Sequence, residues 1–363
     1  MAGRRFPSLE ARQLVQVCHE FLSGISAQGV ADNLNERLKK EGIELPAQVN
    51  RQQVYALVSD ARKRGFFVLR PPLEAVLNRR VADVYGLDAE NIEVVDAEGP
   101  STGDFVADRA AKRAMRLIKE VGAAKQSTSD NQRVHLGLGA GYTTMNIARH
   151  LAHELRAEDD LPDLVLHALT SGFRVEQPQT APVSFFGSFG NLRIKVGYVG
   201  LFARPVVKRE HYAGEIDQPG AVEAFKRRHE IDIVITSLAS AQDEHGDLNM
   251  FLRKQPEDIQ QLRDDGWVGD VMYRPYSETG PLTREASIRA LTLFELIELI
   301  DLVKQPNKYV LLVSGPCGHC GMNRSGALRP LLSSAQLKVW SHIIMDRGTA
   351  QDLVAANPKA QRP

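Results

Sequence analysis

The sequence predicts an α/β protein in parts: a winged helix-turn-helix domain over residues 1–72, a linker helix over 73–90, and a larger Rossmann-like α/β domain over 91–363. Three observations predict this. Short helical patterns with capping residues fill the first 65 positions. From residue 92 onward, apolar strand-like runs alternate with amphipathic helical ones, the signature of a largely parallel sheet covered on both faces. Charge is also divided: residues 1–72 carry eleven Lys/Arg against seven Asp/Glu, a balance of +4, although the whole chain of 363 residues has 45 of each. A small basic head on an acidic body suits nucleic acid at one end and another task at the other.

In the head, Ser8 can cap a first helix with Leu14, Val17, Cys18 and Phe21 on one face. Ser26 can cap a second helix carrying Val30, Leu34 and Leu38. Asn50 can cap a third, NRQQVYALVSDARKRG, whose stripe is Val54, Leu57, Val58 and Ala61 and which Gly65 ends. FFVLRPP then reads as a short strand stopped by Pro71 and Pro72. These elements equally describe a small helical bundle with no DNA role.

Beyond the linker, strands are expected at 92–97, 133–138, 163–169, 192–200, 232–238, 309–315 and 337–345, with helices near 104–121, 142–155, 219–229, 256–264, 290–304 and 347–356. The segments 125–132 and 171–191 read as loops; the second is long enough to be a functional flap. The composition is that of an ordinary globular chain, 43% hydrophobic and 25% charged. Three cysteines exclude a disulfide scaffold. No apolar run reaches the roughly 18 residues of a membrane span. The basic start lacks the apolar stretch of a secretory signal, so a cytoplasmic location is expected.

Three motifs can carry chemistry. In GLGAGYTTMNIA, residues 137–148, a buried strand runs through glycines into a helix. Such a turn brings backbone N–H groups and the positive end of the helix to an anion. It is neither a Walker loop nor a complete G-x-G-x-x-G, since Tyr142 stands where the last glycine would be. A merely tight strand–helix turn is the plainer alternative. In GWVGDVMYRPYSETG, residues 266–280, Asp270 can accept bonds from sugar hydroxyls and Arg274 can clamp a phosphate, or the two can be an ordinary ion pair. In SGPCGHCGMNRSGALRP, residues 314–330, Cys317, His319 and Cys320 offer three soft ligands, but no second C-x-x-C supplies a fourth and Cys18 lies in the other domain. The expectation is therefore no metal and no cofactor, with Asn323 and Arg324 as the functional residues of that loop; a zinc or C-x-x-C redox site on Cys317, His319 and Cys320 is the alternative. The remaining histidines, among them His135, His167 and His245, show no ligand spacing and are expected to be surface or packed residues.

In this order the features resemble the SorC/DeoR-type sugar-binding transcriptional regulators of bacteria: NRQQVYALVSDARKRGFFVL, LNRRVADVYGL, GLGAGYTT, DIVITSLAS, GWVGDVMYRPYSETG and IIMDRGTAQDLV, covering about residues 12 to 356. The resemblance implies an operator-binding head and a body similar to sugar-phosphate isomerases and deaminases. That body serves as a sensor: a phosphorylated sugar binds it and alters DNA affinity. It implies homodimers or homotetramers, double-stranded operator DNA as partner, no membrane partner and no enzymatic activity. The family's phosphate loop matches Gly137, Gly139, Gly141, Tyr142, Thr143 and Thr144; its Gly-Asp motif matches Gly269-Asp270, followed by Arg274. Arg174 and Gln177 of the flap are expected to face the ligand. In the head, Arg51, Gln52, Gln53 and Tyr55 are able to read base edges, with Asn50 at the helix start, while Ser59, Arg62, Lys63 and Arg64 suit phosphates. Two departures stand out. KKEGIELPAQV, residues 39–49, lengthens the connection before the third helix, and the late loop carries Arg324 where the family often has a lysine. The rival reading is a sugar-phosphate isomerase or deaminase-like enzyme with an N-terminal assembly domain, using Asp270 or Glu176 as base.

Overall fold

The structure is a computed structural model that describes residues 9–43, 47–67, 69–127, 133–172, 174, 176–283 and 286–356. The chain divides into two compact units, Met1–Arg70 and Pro71–Pro363.

The first unit is three helices, α1 (Ala11–Leu22), α2 (Ala27–Lys40) and α3 (Arg51–Lys63). Their apolar stripes, including Leu14, Val17, Leu34, Leu38, Val54 and Leu57, meet in one core. Ser26 Oγ accepts from Gly29 N–H, and Asn50 and Gln53 exchange hydrogen bonds across the first turn of α3. Ser8 lies outside the described residues; α1 starts instead at Glu10, whose N–H donates to Gln13 Oε1. Of the extra residues before α3, Lys39 and Lys40 still belong to α2, residues 44–46 lie outside the described residues, and Val49 is clamped by Asn35, whose side chain bonds both its N–H and its C=O. The strand expected at FFVL is not formed among the described residues, and Val68 lies outside them. A single strand has no ladder to join here. Phe66 and Phe67 pack against the helical core instead, with the Arg64 guanidinium over the Phe66 ring.

The second unit is built on a twisted sheet. Seven parallel strands lie in the order β1 (Ile92–Val95), β11 (His342–Asp346), β10 (Tyr309–Ser314), β6 (Ile233–Ser240), β2 (Val134–Leu138), β3 (Leu164–Ala168) and β4 (Val196–Val199). The far end of β6 continues into an antiparallel hairpin, β7 (Gly269–Val271) and β8 (Arg274–Tyr276). A separate two-stranded ribbon, β5 (Val206–Lys208) with β9 (Ile288–Ala290), takes residues expected to begin a helix near 290; the helix there spans only Leu296–Leu302. The strand expected at 337–345 is likewise shorter, because residues 335–337 form a helical turn first. One sheet face is covered by α5 (Thr102–Gln126) and α6 (Tyr142–Arg156), the other by α4 (Ala75–Tyr85) and the helices 296–302, 325–333 and 347–355. The linker helix is thus part of the body: Leu77, Val81 and Ala82 lie in its core, and Tyr85 Oη donates to Leu353 C=O. No helix among the described residues is long and apolar enough to cross a membrane.

Chain direction across the sheet reverses between β2 and β6: β3 and β4 follow on one side of β2, β10 and β11 on the far side of β6. In such sheets the carboxyl ends of the strands at the reversal form a crevice. The opposite, amino-end edge is closed by charge. Buried Asp232 accepts from His135 N–H (2.8 Å), Lys125 Nζ (2.6 Å) and Lys308 Nζ (3.0 Å), and its own N–H donates to His135 C=O. One carboxylate so ties the starts of β2 and β6 to α5 and to the residue before β10. Beside it His135 Nδ1 lies 2.9 Å from His167 Nε2 and 3.2 Å from Glu230, which Arg227 pairs.

Candidate functional site

A cavity of about 100 Å³ opens at the reversal point, where the loops after β2, β6 and β10 meet the β7–β8 turn. The loop after β2 needs its glycines for different reasons. A side chain at Gly137 would strike Leu169 at 2.6 Å, and one at Gly139 would strike Thr236 at 2.9 Å. Both make room for neighbouring side chains, and neither lines the cavity. Gly141 does, and its φ of +107° is one that L side chains rarely adopt.

The glycine amides are not the anion donors. Gly139 N–H bonds Ile235 C=O and Gly141 N–H bonds Thr180 C=O. The free donors belong to the first turn of α6: among the described residues the N–H groups of Tyr142, Thr143 and Thr144 have no backbone partner. Tyr142 and Thr143 face the cavity; Thr144 is fully buried, with its Oγ1 unpartnered.

The opposite wall is acidic. Asp270, on β7, is buried, and burial, with Asp247 nearby, pushes its carboxyl up to about 7. The turn that follows holds Met272 and Tyr273 both at positive φ, 51° and 63°, a conformation that side chains disfavour. Tyr273 Oη donates to Asp247 Oδ2 at 3.2 Å. From the flap, Arg174 reaches the same Asp247 at 2.6 Å and is steadied by Gln177 Oε1 at 2.9 Å. Gln177 therefore orients the arginine and stands outside the cavity; Phe173 and Val175 of the flap lie outside the described residues. Arg324 completes the wall. Its Nη1 donates to Leu238 C=O at 2.9 Å, its Nη2 lies 3.4 Å from Asp243, and its buried Nε has no hydrogen-bond partner among the described residues.

Two expected members are elsewhere. Arg274 turns away from Asp270: it pairs with Glu295 (2.8 Å), bonds Ala290 C=O and reaches Tyr212 Oη, lining a different groove. The hairpin register causes this, since residues 270 and 274 lie on opposite strands and 274 faces Val271, not Asp270. Asn323 is structural: its Oδ1 accepts from Ser325 N–H at the start of helix 325–333 and from Thr349 Oγ1, and its Nδ2 donates to Asp352. Conversely, Asp243, His245, Asp247 and Tyr273 line or border the cavity and were not singled out by the sequence. Asp243, His245 and Asp247 carry no motif of their own, and Tyr273 lies inside the 266–280 motif without having been picked from it, so the fold reveals them.

On the first unit, helix α3 exposes Arg51, Gln52, Tyr55, Ser59, Arg62 and Lys63 opposite its buried stripe, with the Tyr55 ring edge-on to Phe21. Gln53 is engaged in the helix cap. Arg64, a further 100° around the helix from Lys63, leaves that face and sits over Phe66, within 3.6 Å of Asp60.

Comparison with known proteins adds a fold likeness. The full-length sorbitol operon regulator SorC from Klebsiella pneumoniae superposes with a TM-score of 0.56 at 13% identity, covering 96% of this chain and 99% of that one. A DeoR family transcriptional regulator from Listeria monocytogenes gives 0.53 at 17% identity over 77% of this chain and 98% of its own. A transcriptional regulator from Streptococcus pneumoniae gives 0.52 at 13% over 77% and 96%. The family described as CRISPR-associated protein NE0113 matches residues 38–185, less than half of the chain. No curated protein sequence matches it.

Proposed function

We propose that this chain is a DNA-binding transcriptional regulator of carbohydrate metabolism whose operator affinity is set by a phosphorylated sugar bound at the reversal point of the sheet. One observation carries the reading. The same chain joins a capped helix with an exposed basic and amide face to a cavity with anion donors on one side and hydroxyl acceptors on the other. The phosphate seats on the N–H groups of Tyr142 and Thr143 and on Arg324 Nε. The hydroxyls meet Asp270, Asp247 and Arg174. Asp270, held near neutrality, can donate as well as accept, which limits repulsion of an anionic ligand. The likeness in fold to SorC and DeoR regulators supports the assignment.

In the head, Arg51, Gln52 and Tyr55 read bases in the major groove, and Ser59, Arg62 and Lys63 hold phosphates. One such head binds weakly, so a homodimer or homotetramer places two on spaced half-sites. The chain works in the bacterial cytoplasm by binding and not by turnover. The ligand acts through different affinities for two subunit arrangements; a tenfold change in operator affinity takes about 1.4 kcal/mol of such difference.

The test is a salt-varied DNA-binding assay on the gene's own upstream region, repeated with a panel of sugar phosphates. Salt-steep, sequence-specific binding modulated by one phosphosugar is the expected result. Arg62→Ala should weaken binding across sequences and reduce the salt slope by about one. A second reading has one observation in its favour: a carboxyl near 7 at a cavity wall suits a general base, as in an isomerase or deaminase. Turnover of a panel member without specific DNA binding would establish that reading instead.

A further inference from the structure

The loops after β6 and β10 bring four ligating side chains to one point, and we infer that Asp243, His245, Cys317 and Cys320 form a zinc site. The loops can meet because β6 and β10 are neighbouring parallel strands. Cys317 Sγ lies 3.5 Å from Asp243 Oδ1 and 3.9 Å from His245 Nδ1, and that Nδ1 lies 3.4 Å from the same Oδ1. Cys320 joins them, all four ligand atoms lying within 4.8 Å of one another. A tetrahedron with zinc bonds of about 2.0–2.3 Å has edges of roughly 3.3–3.8 Å. Two of the three edges, 3.4 and 3.5 Å, lie in that range, and the third, 3.9 Å, is 0.1 Å beyond it.

Independent features point the same way. The Cys317–Cys320 loop closes on itself: Cys317 N–H donates to Met322 C=O. Gly321 N–H then bonds Cys317 C=O, at a φ of +71° that suits glycine. Behind Asp243, Arg324 lies 3.4 Å from Oδ2, the oxygen that does not face the cysteine, and so orients the ligand from outside. Charge closes as well. Two thiolates and a carboxylate against a divalent ion leave one negative charge, which Arg324 cancels. Two sulfurs, one imidazole and one carboxylate select zinc over magnesium, calcium or manganese. His319, the ligand that the sequence offered, is not one of the four: it stacks on the His245 ring at 5.1 Å and abuts Tyr142 edge-on at 5.5 Å.

The ion ties the two loops together beside the cavity. Its test uses no DNA or sugar, so it stands apart from the proposed function. The full chain is purified under reducing conditions, stripped with a chelator and titrated with Co²⁺, then with Zn²⁺. One cobalt per chain, with intense tetrahedral visible bands and a thiolate-to-cobalt charge-transfer band that zinc displaces, is the expected result. Cys317→Ser should abolish the charge-transfer band. Cys320→Ser changes an exposed side chain, and its fold is checked by circular dichroism. It should weaken that band and lower zinc affinity by more than about 100-fold, beyond what loss of an outer-shell partner does. Three results would overturn the site: no charge-transfer band; cobalt spectra unchanged in both serine variants; or thiols that react equally fast with and without zinc, including through a Cys317–Cys320 disulfide.

Discussion

The two edges of the parallel sheet use the same residue types to opposite ends. At the amino edge, Asp232, His135, His167 and Glu230 are surrounded by Lys125, Lys308 and Arg227, so nearly every charge is answered inside the protein. His135 and His167 also come within ligating distance of Glu230, but their rings already engage each other. At the carboxyl edge, donors at the start of α6, Arg324 Nε, two thiols and a carboxyl near 7 are left with capacity for something from outside. Ligating side chains alone do not mark a functional site; the absence of internal compensation does.

Four variants test this contrast. Asp232→Ala should cost most, about 3–5 kcal/mol, because it removes the buried carboxylate that pairs two half-buried lysines and accepts from His135 N–H. Denaturant unfolding would show the loss, while ligand affinity of the folded cavity stays unchanged; a mild loss would break the contrast. Asp270→Asn comes next and changes the pH profile. Folded Asp270 holds its proton up to about 7, whereas the unfolded carboxyl releases it near 4, so wild-type stability falls as pH rises between those values. The variant should lack that slope and be more stable at pH 8, by about 4 kcal/mol at most. Arg324→Gln should weaken phosphosugar binding by roughly 1.5–3 kcal/mol and leave the unphosphorylated sugar almost unaffected, as titration calorimetry would show. His167→Gln is the smallest. Burial, reinforced by His135, lowers His167 to about 3, so wild-type stability is lost as pH falls from about 6.5 towards 3. Wild type should therefore lose about 2 kcal/mol between neutral pH and pH 5 that the variant does not lose. The two edges thus carry opposite pH slopes, and equal slopes in the two variants would dissolve the distinction.

Local features were legible in the sequence and distributed ones were not. Asn50 and Ser26 cap helices because a cap needs only three following residues. The turn from β2 into α6 was readable for the same reason, although which amides remain free depends on Ile235 and Thr180, far along the chain. Arg274 was misplaced because its direction follows from hairpin register. Asp243 and His245 carried no signal towards Cys317: their meeting depends on β6 and β10 being neighbours, which no short-range pattern encodes. FFVL has strand composition but, among the described residues, no partner to pair with, and composition alone does not make a ladder.

The place of β1 also bears on how the body is made. Its ladder partner is β11, with Ile92 beside Ile343. At a synthesis rate of about 5–20 residues per second, β1 leaves the ribosome on the order of 10–50 s before its neighbour exists. Through that interval a strand with four buried residues presents an open edge. Nascent chains of this protein should therefore depend on chaperone cover until β11 emerges, whereas the three-helix head, whose core is made entirely of its own local segments, needs none.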